Sequence, residues 1–186
     1  MFAKIVAFAS VLAATTSAYP LFKQCGQAWS NDLMGSSGSN VCAKGCLMSS
    51  VSMVLADCGR QIGGATANPR TLNQWLSANG GYSGASLVWG SVGSLGLSFV
   101  TKTTSHTEII NYFKSGKAVV LNVNQGGHWV LMTGYSGSTY FVNDPGFAKT
   151  SYTQAEVVNS GIYSRPAGCA SLLMSSPAAA EGFLSE

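Results

Sequence analysis

One cysteine follows a glycine directly and heads an apolar run: Gly45-Cys46, then Leu47-Met48-Ser49-Ser50-Val51-Ser52-Met53-Val54-Leu55. Far downstream come His128-Trp129 and Asp144-Pro145, in that order. A thiol, an imidazole and a carboxylate are the groups that nucleophilic thiol catalysis uses. The thiolate attacks, the imidazole moves the proton, and the carboxylate fixes the tautomer and supports the charged ring. Each residue also has a plain explanation: a buried helix cysteine, a packed histidine, a turn at Asp144-Pro145-Gly146. Their order and the elements that carry them favour a triad.

Those elements are readable from periodicity. From Cys46 to about Asp57, Met48, Val51, Val54, Leu55 and Cys58 recur at three- and four-residue spacing, and Gly59 follows as a stop, which predicts a helix beginning at Cys46. Unpaired N–H groups at such a helix head, with the macrodipole, stabilise a thiolate. Asn68-Pro69-Arg70-Thr71 opens a second helix with Leu72, Trp75 and Leu76 on one face, ended by Asn79-Gly80-Gly81. A third runs over roughly residues 107–115. Residues 19–41 read as irregular, and residues 82–105 carry no clear period.

The C-terminal half is β-branched and apolar at residues 118–123, 128–133 and 140–142. Turns at Gln125-Gly126-Gly127 and Ser136-Gly137-Ser138 separate these runs, so an antiparallel meander is expected. His128 starts one strand and Asp144 ends the next, a hairpin's length apart. Helices first and strands afterwards predict an α+β domain, with N-terminal helices packed on a C-terminal antiparallel β-sheet. The Cys46 N–H supplies one oxyanion donor, and Gln24 or Gln27 is available as a second. His106 reads as a surface residue and Lys44 as a solvated one. Cys42 and Cys46 lack a downstream Cys/His pair at zinc-ligand spacing, and no glycine-rich stretch has phosphate-loop form, so no metal and no cofactor are expected.

Residues 1–18 carry Lys4, an apolar run and small residues ending at Ala18, the layout of a secretory signal peptide. A membrane anchor is the alternative, but the run is short for a span. Residues 19–170 are expected to form one domain, and residues 171–186 an Ala/Ser-rich tail. Hydrophobic residues make up 46% of the 186 and charged ones only 9%, with a net charge of +3. That balance is too weak and scattered to suggest nucleic acid or an anionic membrane as partner. Five cysteines in an oxidising compartment leave one unpaired, and Cys46 is the candidate. The others, Cys25, Cys42, Cys58 and Cys169, admit three pairings.

With these residues in view, the chain resembles the C39-like cysteine peptidase family, a branch of the papain-like fold. The resemblance rests on Gln24 with Trp29, Gly45-Cys46 with Ser52-Met53-Val54-Leu55, Gly127-His128-Trp129-Val130, and Asn143-Asp144-Pro145. Two positions depart from the family pattern: Gly26 replaces an acidic residue, and Leu47-Met48 replaces Gly-Pro. The resemblance implies a papain-like fold with Cys46 as nucleophile, His128 as general base and acid, Asp144 as orienting carboxylate and Gln24 as oxyanion donor. One disulfide arrangement, Cys25–Cys42 with Cys58–Cys169, would staple the Gly/Ser loop before the helix and tie the helix end to the C-terminus.

The resulting expectation is a secreted, extracellular, monomeric cysteine peptidase-like hydrolase acting on a peptide or protein substrate, with no membrane association after signal cleavage. A cell-wall peptide amidase or acyl transferase on the same fold is the first alternative. A non-catalytic binding or toxin-like protein is the second.

Overall fold

A computed structural model describes residues 19–169. The expected signal peptide (1–18) and the tail (171–186) lie outside the described residues. The described residues form four α-helices: α1 (Val41–Lys44), α2 (Cys46–Asp57), α3 (Pro69–Ala78) and α4 (His106–Lys114). Two small hairpins, β1 (Gln61–Ile62) with β2 (Ala65–Thr66) and β3 (Tyr82–Ser83) with β4 (Ser86–Leu87), lie between the helices. The main sheet contains β5 (Ser98–Thr103), β6 (Ala118–Val123), β7 (His128–Ser136), β8 (Thr139–Asn143), β9 (Ser151–Thr153) and β10 (Asn159–Ser164). All its pairings are antiparallel, in the order β5-β10-β6-β7-β8-β9. The fold is α+β, as the order of elements predicts.

α2 starts at Cys46, and its burial differs from a one-sided stripe. Every residue from Met48 to Leu55 is buried, including Ser49, Ser50 and Ser52. The helix is therefore enclosed: it packs mainly on β7 and also meets α3 and β6. Small serines let it pack closely on several sides, and Ser52 Oγ satisfies itself on Ser49 O at 2.7 Å. Cys58 caps this helix instead of extending its stripe.

α3 begins where its sequence signals place it. Asn68 caps Arg70 N and Thr71 N, Thr71 Oγ1 accepts from Asn68 N, and Pro69 occupies the first turn. The region without clear period, residues 82–105, holds the β3–β4 hairpin, a short 3₁₀ turn (Ser91–Leu95) and β5. β10 enters between β5 and β6, a non-sequential position that the meander pattern does not indicate. His106 is half-buried at the head of α4, where its Nδ1 lies 3.0 Å from the Tyr140 hydroxyl, so it is not a plain surface residue.

Two disulfides join Cys25 to Cys42 and Cys58 to Cys169. Cys46 is the free cysteine. Cys42, being bridged, is not available to share a metal with Cys46. No helix of the described residues is long and apolar enough to cross a membrane.

Candidate active site

Gly45 sets the entry to α2. A Cβ there would lie 2.5 Å from Val41 O and 2.7 Å from Val41 Cγ1, so only glycine lets α1 run so closely into α2. No side chain caps the head of α2. The carbonyl four residues before Cys46, Cys42 O, instead accepts from Gln24 Nε2 at 2.6 Å. The Cys46 N–H therefore makes no backbone bond among the described residues outside its own helix.

His128 opens β7, opposite Val123 of β6. Asn122 is buried, and its Nδ2 donates to both Gly126 O and His128 O at 3.1 Å, pinning the turn and the histidine backbone together. Across β7 and β8 the register runs Ser136–Thr139, Tyr135–Tyr140 and Gly134–Phe141, then slips by one residue to Met132–Val142 and Leu131–Asn143. This slip is a β-bulge with Thr133 as the extra residue. Continued past Asn143, the register sets Val130 opposite Asp144 and His128 opposite Gly146. Asp144 and His128 then share one face as diagonal neighbours, within reach of long side chains. Without the bulge they would point to opposite faces, because side chains alternate with a period of two.

The imidazole is held by Asp144. His128 Nε2 lies 2.7 Å from Asp144 Oδ1, in a pair with side-chain exposures of 7% and 0%. The Cys46 sulfur acts on the same ring and raises its pKa. Burial, the largest single influence on His128, pulls its pKa down. The bonds and charges of Asp144 and Cys46 outweigh it and raise the pKa from 6.5 to about 9.

Asp144 is itself well supplied with donors. Its Oδ1 also accepts from Gly146 N at 2.8 Å and Phe147 N at 2.9 Å, and its Oδ2 accepts from the Tyr152 hydroxyl at 2.8 Å. Burial pushes its pKa up, but His128, Phe147 N, Tyr152 and Gly146 N together hold it below its ordinary 3.8. The carboxylate stays ionised although it is only 2% exposed.

The N-terminal segment locks this turn in place. Lys23 Nζ donates to Asp144 O at 2.7 Å and to Phe147 O, Gln24 N donates to Pro145 O at 2.9 Å, and Asn143 Nδ2 donates to Tyr19 O at 2.8 Å. Trp29 Nε1 donates to Lys23 O at 2.8 Å, so the Gln24-to-Trp29 spacing is a clamp on the residue before Gln24. Gln24 is buried, and its Oε1 has no hydrogen-bond partner. A Cβ on Gly146 would come within 2.8 Å of His128 Cε1 and 3.5 Å of Gln24 Oε1. Phe147 meets the imidazole edge to face, with ring centroids 5.1 Å apart.

The structure thus brings Cys46, His128, Asp144 and Gln24 into one neighbourhood. Of the two candidate glutamines, Gln24 is the one whose side chain reaches it, while Gln27 is exposed. Residues that sequence reasoning passed over include Tyr152, Asn122, Lys23 and, beyond its turn propensity, Gly146. Their partners are distant in sequence, so no local pattern marks them. The one available signal was chemical: a buried carboxylate at a strand end requires donors.

The α+β scaffold thus carries a buried His128–Asp144 pair, with Gln24 nearby, and a free cysteine at the head of α2. The chain matches the Peptidase_C39 like family over residues 16–164, and it belongs to that family. No curated protein and no solved structure gives a significant match.

Proposed function

We propose that this protein is a secreted thiol hydrolase that cleaves peptide or related amide bonds in a papain-like arrangement. One observation carries the reading. His128 Nε2 lies 2.7 Å from the buried Asp144, and the free thiol of Cys46 is near enough to the same ring to raise its pKa. The packing of α2 against β7 supports the papain-like description, since it sets the thiol-bearing helix against the strand that carries the base.

His128 takes the thiol proton on the ring nitrogen that Asp144 leaves free. Sulfur attacks the substrate carbonyl carbon, and the carbonyl electron pair moves onto oxygen. The Cys46 N–H and the second N–H of Gln24 Nε2 are the donors for that oxyanion. The first N–H of that amide donates to Cys42 O at 2.6 Å. Collapse of the tetrahedral intermediate expels the amine, which takes its proton from His128, and leaves a thioester on Cys46. Neutral His128 then deprotonates a water, which attacks the thioester. Release of the acid returns the proton to the thiol–imidazole pair.

The two disulfides are compatible with an oxidising compartment, and the pattern of residues 1–18 supports removal of a signal peptide before the domain of residues 19–170 acts. The expected working form is a monomer with a peptide or protein as its substrate. Cys46→Ala tests the mechanism directly. The half-buried position tolerates loss of the sulfur, so the variant is expected to fold normally, with no turnover and no iodoacetamide-labelled peptide containing residue 46. Full turnover by Cys46→Ala would refute the assignment.

A further inference from the structure

Cys46 opens onto a cleft of about 320 Å³ that the steps above leave unused. This lies at the small end of ligand pockets, roughly 300–1,000 Å³. Met34, Leu47 and Leu87 line it, and Trp89 and Trp129 form an aromatic wall. The wall is preformed. The two indoles meet edge to face with centroids 5.0 Å apart, and Trp89 also packs on Phe99 and Tyr163. Gly161 makes room for Trp89, because a Cβ there would lie 2.0 Å from Cζ3 of the indole. The Tyr163 hydroxyl donates to Trp89 O at 3.1 Å. A rigid apolar wall of this kind takes up an apolar side chain with little reordering.

The charge at the cleft has one sign. Lys44 is the charged residue of the lining, and it is exposed. Lys102 Nζ sits 4.6 Å from the centroid of the Trp89 ring. No carboxylate lines the cleft among the described residues. The described acidic side chains are engaged elsewhere: Asp32 with Arg70, Asp57 with Arg165, Glu156 with Lys149, Glu108 with Thr103, and Asp144 with His128.

From this combination we infer that the cleft seats a bulky apolar side chain, aromatic or long aliphatic, of a peptide substrate, while Lys44 binds a carboxylate on the neighbouring residue. The inference rests on the thiol-hydrolase reading and adds the substrate class to it. The experiment measures hydrolysis of internally quenched peptides varied one position at a time on both sides of the cleaved bond, with a small acetyl ester as reference substrate. At one position, replacing Phe or Leu by Ala is expected to lower kcat/KM roughly 10–100-fold. In Ala85→Trp, which narrows the cleft, that discrimination should collapse. At the adjacent position Asp should be preferred to Lys by about two- to fivefold, and Lys44→Glu should reverse the order. Cys46-dependent hydrolysis that is indifferent to side chain at every position overturns this inference and leaves the hydrolase reading standing. Absence of any Cys46-dependent turnover, of peptides and of the ester alike, overturns both.

Discussion

Replacing Asp144 by Asn removes a charge while keeping the shape of the site. The asparagine Oδ1 can keep its three donors, His128 Nε2, Gly146 N and Phe147 N, and the Tyr152 hydroxyl can turn to accept from the new amide. What disappears is the negative charge that holds the imidazolium. Burial pulls the His128 pKa down, and without the carboxylate only Cys46 opposes it, so the pKa is expected to fall from about 9 to its ordinary 6.5 or lower. At pH 7.5 the protonated-to-neutral ratio then drops from roughly thirty to one to about one to ten. The alkaline limb of the pH–activity profile, set by loss of the imidazolium proton, should move acidward to 6.5 or below.

Stability should follow the same proton. Because the folded chain holds the His128 proton more tightly than the unfolded chain does, this stabilisation is complete below pH 6.5 and disappears as pH rises through about 9. A shift of this size corresponds to about 3 kcal/mol at most. Urea denaturation at pH 6 should therefore separate wild type from Asp144→Asn by an amount of that order, and the gap should narrow above pH 9. An NMR titration of the imidazole reads the pKa directly. A variant ring still titrating near 9 would show that Asp144 does not hold the proton, and the triad would have to be abandoned.

Tyr152→Phe deletes one buried donor to Asp144 Oδ2. It should cost about 1–3 kcal/mol and let the Asp144 pKa rise, since one of the donors that hold it down is gone; an unmoved carboxylate titration would limit Tyr152 to packing. Gly146→Ala should push the imidazole away, since its Cβ would sit 2.8 Å from Cε1. The expected result is at least about a tenfold loss of kcat/KM, in line with the cost of misplacing a catalytic group, with iodoacetamide labelling slowed and the melting temperature little changed. Removing the Cys58–Cys169 bridge by a double serine substitution opens a closure spanning 111 residues. It should destabilise the fold by about 5 kcal/mol, and loss of Cys25–Cys42 by about 3, in equilibrium unfolding. Equal effects of the two would speak against loop closure as the source.

Local pattern made the principal pieces legible. The apolar spacing after Gly45-Cys46 marks α2 to the residue, because a helix start and an apolar period are both local features. Asn68-Pro69 does the same for α3, since its cap bonds within four residues. The β-branched runs around His128 and Asp144 identify a hairpin because each strand's preference is its own. Residue chemistry and order thus nominate Cys46, His128 and Asp144 and leave Cys46 as the odd thiol, while the family resemblance singles out Gln24 over Gln27.

Long-range packing supplied the rest. A bulge at Thr133 puts His128 and Asp144 on one face, and register between strands depends on the whole sheet, so neither strand announces it. β10 lies between β5 and β6 because a strand chooses its neighbours by which edges remain open, not by its place in the chain. Tyr152 meets Asp144, and Lys23 reaches the 144–147 turn, only after those edges have closed. The Trp89–Trp129 wall likewise exists because Gly161 of β10 makes room for an indole. Periodicity records which way a side chain faces along its own element. What that side chain meets is a property of the assembled layers.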